Sequence, residues 1–270
     1  MKLAKDADRI IKKFIQTRVN EAGAKGVVIG LSGGIDSATT LALAVSALGN
    51  EKVYGLILPS HDSESITIAT NHAETLGVKT KKIDISSIVK AYKDGSDTFS
   101  HRLAEGNLNS RIRMTLLYGE SFVSNFLVAG TSNKSELLLG YYTKWGDGAS
   151  DFLPIGDLYK SQVYLLADLL DIPIEIIQRP PTAELWEGQT DEADLGMNYR
   201  ELDVILEMIE NFSSVEKISS TTSMNLKDIQ KIEDMIRFSI HKRIFPSVCK
   251  LGYRTVGIDW RETLGTFKKL

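Results

Sequence analysis

Residues 27–37 are Val27-Val28-Ile29-Gly30-Leu31-Ser32-Gly33-Gly34-Ile35-Asp36-Ser37. The opening apolar run has no polar alternation, which is typical of a strand covered on both faces. The glycine pair then lets the backbone turn sharply and approach a ligand without Cβ atoms in the way. A helical pattern follows at once, so its first N–H groups and the positive end of its dipole would face an anion at the turn. The segment therefore predicts a strand, a phosphate-binding turn and a helix in direct succession.

The residues of this turn also allow a simpler interpretation, in which Asp36 or Ser37 only caps the helix. For a phosphate site Asp36 is out of place, because a carboxylate repels an anion. A Mg²⁺ ion between the carboxylate and the phosphate oxygens removes that conflict. The turn matches neither the Walker A pattern nor Gly-x-Gly-x-x-Gly, so those two classes of nucleotide site are excluded here.

Strands and helices continue to alternate along the rest of the chain. Apolar runs predict further strands at 53–58, 78–85 and 126–129, and helical spacing predicts helices over 6–22, 37–48, 64–76 and 109–118. The C-terminal part is predicted to be helical at 159–170, 199–210 and 226–240. Residues 93–105 and 140–151 are expected to be mobile loops. The pattern predicts an α/β fold, a Rossmann-like three-layer sandwich with a mostly parallel sheet flanked by helices, plus a helical C-terminal part.

Composition narrows the class of protein. The 270 residues include 32 Lys and Arg against 35 Asp and Glu, a net charge of −3, which does not indicate nucleic acid or an anionic membrane as a partner. No apolar stretch approaches the roughly 18 residues of a membrane span, and the first residues lack the apolar core of a signal peptide. Cys249, the single cysteine, excludes an internal disulfide and a multi-cysteine zinc site. We expect one cytoplasmic domain over residues 1–270, since no repeat or linker divides the chain.

Several later strings combine charged and small residues. On one helix, Arg111 and Arg113 would lie about 200° apart, so only one of them can face a site. Asn133 and Glu136 have the spacing of a capping box, and for Glu136 capping and metal binding are equally favoured by the residues alone. Asp157 is a good N-cap, which would place the Lys160 cation at the unfavourable end of a helix dipole and hints at an anion nearby.

The string Ser-Gly-Gly-Ile-Asp-Ser resembles the pyrophosphate-binding loop of the N-type ATP pyrophosphatases, which transfer AMP from ATP to an oxygen of an acceptor. Taken in order with the strings at 107–114, 130–136, 144–151, 157–160 and 180–196, it resembles more narrowly the ammonia-dependent NAD synthetases, from about Val28 to Lys242. The resemblance implies ATP-dependent amidation of deamido-NAD by ammonia, giving NAD, AMP and diphosphate through an acyl-adenylate.

The resemblance also implies roles for individual residues. Mg²⁺ would be held by Asp36 and Glu136. The catalytic residues would be Asp36 and Lys160, with Asp147 or Asp151 as our hypothesis for the group that takes a proton from ammonium. ATP would be bound by Gly30, Leu31, Ser32, Gly33, Gly34, Ile35, Asp36, Ser37, Thr131, Lys160 and Thr182. Deamido-NAD would be bound by Arg111, Lys144, Asp151, His241 and Lys242.

Quaternary structure and ammonia source follow from the same resemblance. It implies a homodimer with the deamido-NAD site at the interface, and a loop near Glu184 to Leu195 that orders over the site. Glutamine-using relatives resemble this chain plus a glutaminase domain with a catalytic cysteine. Little chain precedes Gly30 and Cys249 follows the last matched string, so we expect no glutaminase domain and the use of free ammonia.

Three alternative functions agree less well with the residues. A tRNA-thiolating enzyme would need catalytic cysteines and a basic surface, and a GMP synthetase-like enzyme would need a further dimerisation domain. A non-catalytic nucleotide-binding sensor would not need Asp36, Glu136 and Lys160 together. Each of these three functions is less favoured than that of an NAD synthetase.

Overall fold

A parallel sheet forms the centre of the fold. The computed structural model describes residues 1–182, 186, 188–253 and 255. In this part of the chain the four strands lie in the order β3-β2-β1-β4, all parallel. The strands are Gly26–Gly30 (β1), Val53–Ile57 (β2), Lys79–Lys82 (β3) and Phe126–Val128 (β4). Val27 pairs with Val53 on one side and Leu127 on the other, and a parallel bridge joins Ala129 to Phe152.

Helices cover both faces of this sheet and extend into a C-terminal cluster. In chain order they are Ala7–Glu21 (α1), Ile35–Leu48 (α2), Glu64–Thr75 (α3), Ser86–Gly95 (α4), Arg102–Ser124 (α5), Lys134–Leu139 (α6), Lys160–Leu169 (α7), Ile174–Ile177 (α8), Asp191–Leu195 (α9), Tyr199–Glu210 (α10), Val215–Thr222 (α11), Leu226–Phe238 (α12) and Ile240–Arg243 (α13). No helix in the described ranges is both long enough and apolar enough to cross a membrane.

The alternation of side chains along β1 explains the three layers. Val27 and Ile29 pack with apolar residues of α1, α2 and α7, whereas Val28 packs on the opposite face with residues of α4 and α5. All three side chains are buried, as the unbroken apolar run predicts for a strand covered on both faces. A separate core joins α6, α10, α11 and α12, so the predicted helical C-terminal part is confirmed.

Most predicted elements are confirmed within a few residues, but the loop predicted at 93–105 is wrong, and so is the helix cap predicted at Asp157, because α7 begins at Lys160 with Tyr159 as its N-cap. Residues 93–105 were expected to be a loop, but α4 continues to Gly95, a 3-10 turn covers Asp97–Ser100, and α5 begins at Arg102. The Tyr92 and Phe99 rings pack edge to face with centroids 5.8 Å apart, an apolar contact that a composition rich in Gly, Ser and Asp concealed. Residues 140–151 contain no helix or strand, as predicted. Their mobility remains a prediction.

Candidate active site

A cavity of about 500 Å³ opens at the carboxyl ends of β1, β2 and β4. This is the edge at which ligands bind in open parallel sheets, because helices and loops diverge there. The cavity brings together many of the residues predicted for ATP, metal and catalysis. Those that line it are Gly30, Leu31, Ser32, Asp36, Ser37, Thr131, Glu136, Asp147, Lys160 and Thr182.

The turn after β1 has the form that a phosphate cradle needs. Gly33 has φ +79°, and a Cβ atom built there would lie 2.5 Å from the Ser65 carbonyl oxygen, so only glycine fits. The hydroxyl of Ser37 donates to the Gly34 carbonyl at 2.9 Å, and the Gly34 N–H donates to the Ser32 hydroxyl at 3.2 Å. These bonds fix the turn at the start of α2, whose first N–H groups have no partner within the helix.

The two glycines of this turn allow a matched test. We expect Gly33→Ala to lower the free energy of unfolding by about 2–4 kcal/mol, because alanine is strained at positive φ and its methyl group meets backbone atoms. Gly34 has φ −87°, and its Cβ would meet only the Ser32 hydroxyl at 3.3 Å, so Gly34→Ala should change stability little. Urea denaturation of both variants measures the difference. Equal stabilities would contradict the assigned turn geometry.

A buried lysine between two carboxylates forms the centre of the cavity. The Lys160 ammonium is 3% exposed, makes a short hydrogen bond to Asp36 Oδ2 and lies 3.5 Å from Glu136 Oε1. The other oxygen of Asp36 accepts a hydrogen bond from the Asn133 side-chain amide at 3.0 Å. The arrangement fixes one ammonium group and two carboxyl groups beside the phosphate-binding turn.

The charges of this cluster depend on each other. Burial, and after it the Asp36 carboxylate, raise the pKa of Glu136 to about 8, although the Lys160 ammonium opposes both. Burial alone would lower the pKa of Lys160, but Asp36 and Glu136 outweigh it, so its pKa lies above the ordinary lysine value. Lys160 is therefore charged at neutral pH, whereas the raised pKa of Glu136 means that this carboxyl holds a proton at neutral pH unless a further cation binds beside it.

The capping interpretation of Glu136 is confirmed, and its role as a metal ligand stays a prediction. Its backbone N–H donates to Asn133 Oδ1 at 3.0 Å, and its Oε2 accepts from the Asn133 N–H at 3.2 Å, which completes a capping box at the start of α6. Its Oε1 faces Lys160 instead. The cap thus fixes the carboxylate while leaving one oxygen toward the cavity.

The donor set of the cavity fits Mg²⁺. Within the described residues no three histidine, cysteine or acidic side chains converge on a metal-sized site. Mg²⁺ in nucleotide enzymes is commonly held by one or two carboxylates plus substrate phosphates, so Asp36 and Glu136 suffice as protein ligands. Their mutual repulsion within a buried site is the observation that favours such an ion.

The residues predicted to hold deamido-NAD lie outside this cavity, with the exception of Lys242. Arg111 donates to the Lys144 carbonyl at 3.3 Å, and the Lys144 ammonium donates to the His241 carbonyl at 2.6 Å, so three of them form one cluster near the surface. The Lys242 ammonium bonds the carbonyls of Gly140 and Tyr142 at 2.6 and 2.8 Å. The cluster and Lys242 together fix residues 140–144 beside the cavity.

The two candidate bases for ammonium differ in position. Asp147 lines the cavity, and its Oδ1 accepts hydrogen bonds from Ser110 at 2.6 Å and from the Thr143 N–H at 2.9 Å. Asp151 does not line it, because its Oδ2 accepts a 2.7 Å bond from the Val128 N–H at the sheet edge. Position therefore favours Asp147 over Asp151 for contact with a small molecule in the cavity.

Two side chains at this site were assigned no role from the sequence. Arg113 lines the cavity and donates to the Leu58 carbonyl at 2.9 Å, on the face of α5 opposite Arg111. Asp191, which lies in the string at 180–196 and was given no role from the sequence, is 3% exposed and accepts a 3.0 Å bond from Tyr199. No local pattern distinguishes a buried aspartate from a solvated one, so only the fold identifies it.

The predicted closing loop lies partly outside the described residues, which omit Glu184 and Leu185. The part that is described, from Gln189 to Leu195, contacts the cavity. Gln189 and Tyr141 both donate to Asp194 at 2.8 Å, which ties α9 to the segment after α6.

The parallel sheet, the glycine turn and the Asp36–Lys160–Glu136 cluster together are typical of a nucleotide-binding α/β protein. The NAD synthase family model matches residues 8–246, and the chain belongs to that family.

Similar proteins agree with this assignment. The NH(3)-dependent NAD(+) synthetase of Methanocaldococcus jannaschii is 47% identical over 241 residues, 87% of this chain and 93% of the relative. Among solved structures, NMN synthetase from Francisella tularensis has a TM-score of 0.80, and the NH3-dependent NAD synthetase from Campylobacter jejuni has 0.78. Each is 33% identical and covers 91% of this chain and 98% of its own. The expected fold class is confirmed.

Proposed function

We propose that the chain is an ammonia-dependent NAD synthetase, a carbon–nitrogen ligase acting in the cytoplasm as a single domain. The observation that carries the proposal is the buried Lys160 between Asp36 and Glu136, beside a phosphate-binding turn, in a member of the NAD synthase family. The curated relatives at 40–47% identity are NH(3)-dependent NAD(+) synthetases. GMP synthetase-like, tRNA-thiolating and sensor roles are not favoured by this match.

The first step would activate a carboxylate. A carboxylate oxygen of deamido-NAD attacks the α-phosphorus of ATP, the bond to the β-phosphate oxygen breaks, and pyrophosphate leaves. The step gathers negative charge on the phosphates, which the Lys160 ammonium and the N–H groups around Gly33 and Gly34 would stabilise. Mg²⁺ held by Asp36 and Glu136 would neutralise phosphate charge when bound. No side-chain nucleophile is needed.

The second step would form the amide. Ammonia attacks the carbonyl carbon of the acyl-adenylate, AMP leaves with the former carboxylate oxygen, and one proton is released. Ammonium predominates at pH 7, so a base must remove a proton before attack. Asp147 is the better placed of the two candidates, because it lines the cavity and its Oδ1 is fixed by Ser110 and Thr143.

Ammonium kinetics separate the two carboxylates. We expect Asp147→Asn to raise the apparent ammonium KM about tenfold or more, because the amide neither attracts ammonium nor accepts its proton. Asp151→Asn should leave that KM near the wild-type value, since Asp151 bonds the sheet edge. Steady-state assays over a range of ammonium concentrations measure both constants. Unchanged KM values in both variants would remove an acidic residue of this segment from ammonium handling.

The proposed assembly is a homodimer with the deamido-NAD site at its interface. Phe122 is 88% exposed, Val123 82% and Trp145 54%. Phe122 lies eleven residues after Arg111 and therefore on the same face of α5. Trp145 directly follows Lys144 of the cluster, and Phe122 lies about 16 Å from Arg111 along α5. These exposed apolar side chains support burial by a second copy. Sedimentation at micromolar concentration should give the dimer mass, and a monomer would count against this assembly.

The likeness to NMN synthetase supports a second candidate substrate, nicotinate mononucleotide. We expect deamido-NAD to be preferred, because the curated relatives that share more identity with this chain are NAD synthetases. The test mixes the protein with ATP, Mg²⁺, ammonium and equal amounts of both acids. NAD as the main product supports the proposal, NMN as the main product favours the second candidate, and neither product refutes both.

A further inference from the structure

Helix α10 presents a stripe of polar side chains to the two helices that carry Glu136 and Lys160. Asp203 and Glu210 are seven residues apart, and Tyr199 precedes Asp203 by four, so all three lie on one side of α10. Tyr199 and Asp203 are buried, and Asp203 is 0% exposed. A fully buried carboxylate is costly unless it is hydrogen-bonded, so its partners show what it does.

Each oxygen of Asp203 contacts the start of one of these helices. Its Oδ1 accepts a 2.5 Å hydrogen bond from Ser135, the residue before Glu136. Its Oδ2 accepts a 2.7 Å bond from the Ser161 N–H, one residue after Lys160. The Ser135 hydroxyl in turn accepts a 2.9 Å hydrogen bond from the backbone N–H of Lys160. One side chain of α10 therefore links the first turns of α6 and α7.

Glu210 makes a second link of the same kind between α6 and α7, nearer the surface. Its carboxylate accepts two bonds from the Lys134 ammonium, at 2.7 and 2.9 Å, and a 2.5 Å bond from the Tyr159 hydroxyl. Lys134 opens α6 and Tyr159 directly precedes α7. At the other end of the stripe, the ring of Tyr199 lies 5.2 Å from the Lys160 ammonium.

We propose that Asp203, assisted by Glu210, is a positioning residue for the adenylation step, because it holds α6 and α7 in the register that places Lys160 against Asp36 and Glu136. This inference rests on the proposed function. Asp203 contacts no cavity atom, so its effect passes through the position of Lys160. A displacement of about 1 Å at a catalytic group costs up to about 100-fold in rate.

A positioning role and a purely structural role for Asp203 predict different kinetic results. If Asp203 acts through Lys160, Asp203→Asn lowers kcat for pyrophosphate release about 10- to 100-fold, while the ammonium KM stays at the wild-type value. In a Lys160→Met background the same substitution produces no further loss of the residual rate, since the group it positions is gone. A general loosening of the fold would lower both backgrounds by the same factor.

The experiment compares Asp203→Asn, Glu210→Gln and Ser135→Ala with Glu201→Gln, which alters an exposed carboxylate of the same helix. Pyrophosphate release, ammonium KM and thermal unfolding are measured for each. We expect the largest loss of kcat in Asp203→Asn, a smaller loss in Glu210→Gln and none in Glu201→Gln. Ser135→Ala removes the bridging hydroxyl with Asp203 in place, so it gives the answer if Asp203→Asn does not fold.

Wild-type kcat in a folded Asp203→Asn or Ser135→Ala protein would overturn the positioning role. An equal fractional loss with and without Lys160 would do the same. A wild-type protein that releases no pyrophosphate with deamido-NAD would refute the proposed function itself, and this inference with it. The first two outcomes require an active wild type, so the two failures are distinguishable.

Discussion

Asp36→Ala is expected to abolish pyrophosphate release, with a fall of at least about 10³-fold in kcat, while the fold stays intact. Asp36 is a proposed metal ligand and accepts the short hydrogen bond that orients Lys160. Its loss therefore removes two interactions with the phosphates, each of a kind typically worth about 10²–10³ in rate. The fold should persist because Lys160 keeps Glu136 as a counter-charge 3.5 Å away.

Coupled pyrophosphate detection measures the rate of this variant, and circular dichroism with thermal unfolding checks its fold. Asp62→Ala is a suitable control, since it removes a carboxylate from the loop before α3 without touching the cluster. Near-normal turnover in Asp36→Ala would eliminate the metal and positioning roles of Asp36. A variant that is inactive and also unfolded would contradict the claim that the cluster serves activity rather than folding.

Lys160→Met should lower both activity and stability. Removal of the buried cation leaves Asp36 and Glu136 facing each other, and breaking a buried ion pair from one side costs about 3–5 kcal/mol. The loss of phosphate stabilisation should lower kcat about 10²- to 10³-fold. The fall in stability is expected even though methionine fills a similar volume, because the cost is electrostatic.

Urea denaturation and single-turnover pyrophosphate release measure the two effects of Lys160→Met. The matched control is Lys90→Met, whose ammonium pairs with Asp94 on the surface at 2.9 Å and should change little. A Lys160→Met protein as stable as the wild type would show that the two carboxylates do not interact through this lysine. Full activity would exclude Lys160 from the adenylation step.

Local patterns in the sequence were sufficient for the sheet and the phosphate turn. Val27 to Ser37 contains the strand, the glycines and the helix start within eleven consecutive residues, so propensity and sterics determine the structure there without distant contacts. The same is true of the capping box at Asn133 and Glu136. Helix α5 was predicted over 109–118 but extends over Arg102–Ser124, since polar residues at both ends obscure its spacing.

Contacts between distant residues account for what the sequence did not predict. Asp157 was expected to cap the helix of Lys160, but that helix begins at Lys160 itself and Asp157 pairs with Lys134 at 3.3 Å. The carboxylate that caps α7 belongs to Asp203, 42 residues away along the chain, and no local pattern could identify it. Likewise Arg111 and Arg113 were placed on opposite faces correctly, yet only the fold shows that Arg113 faces the cavity.

Oxygen transfer from the acid to AMP is the most direct test of the proposed reaction. The protein is incubated with ATP, Mg²⁺, ammonium and deamido-NAD whose carboxylate carries ¹⁸O in both positions, and the products are analysed by mass spectrometry. Adenylation of the carboxylate predicts equal amounts of NAD, AMP and pyrophosphate, with one ¹⁸O in each AMP and one in each NAD amide. NAD formed with unlabelled AMP, or with the label in pyrophosphate, would contradict the acyl-adenylate route.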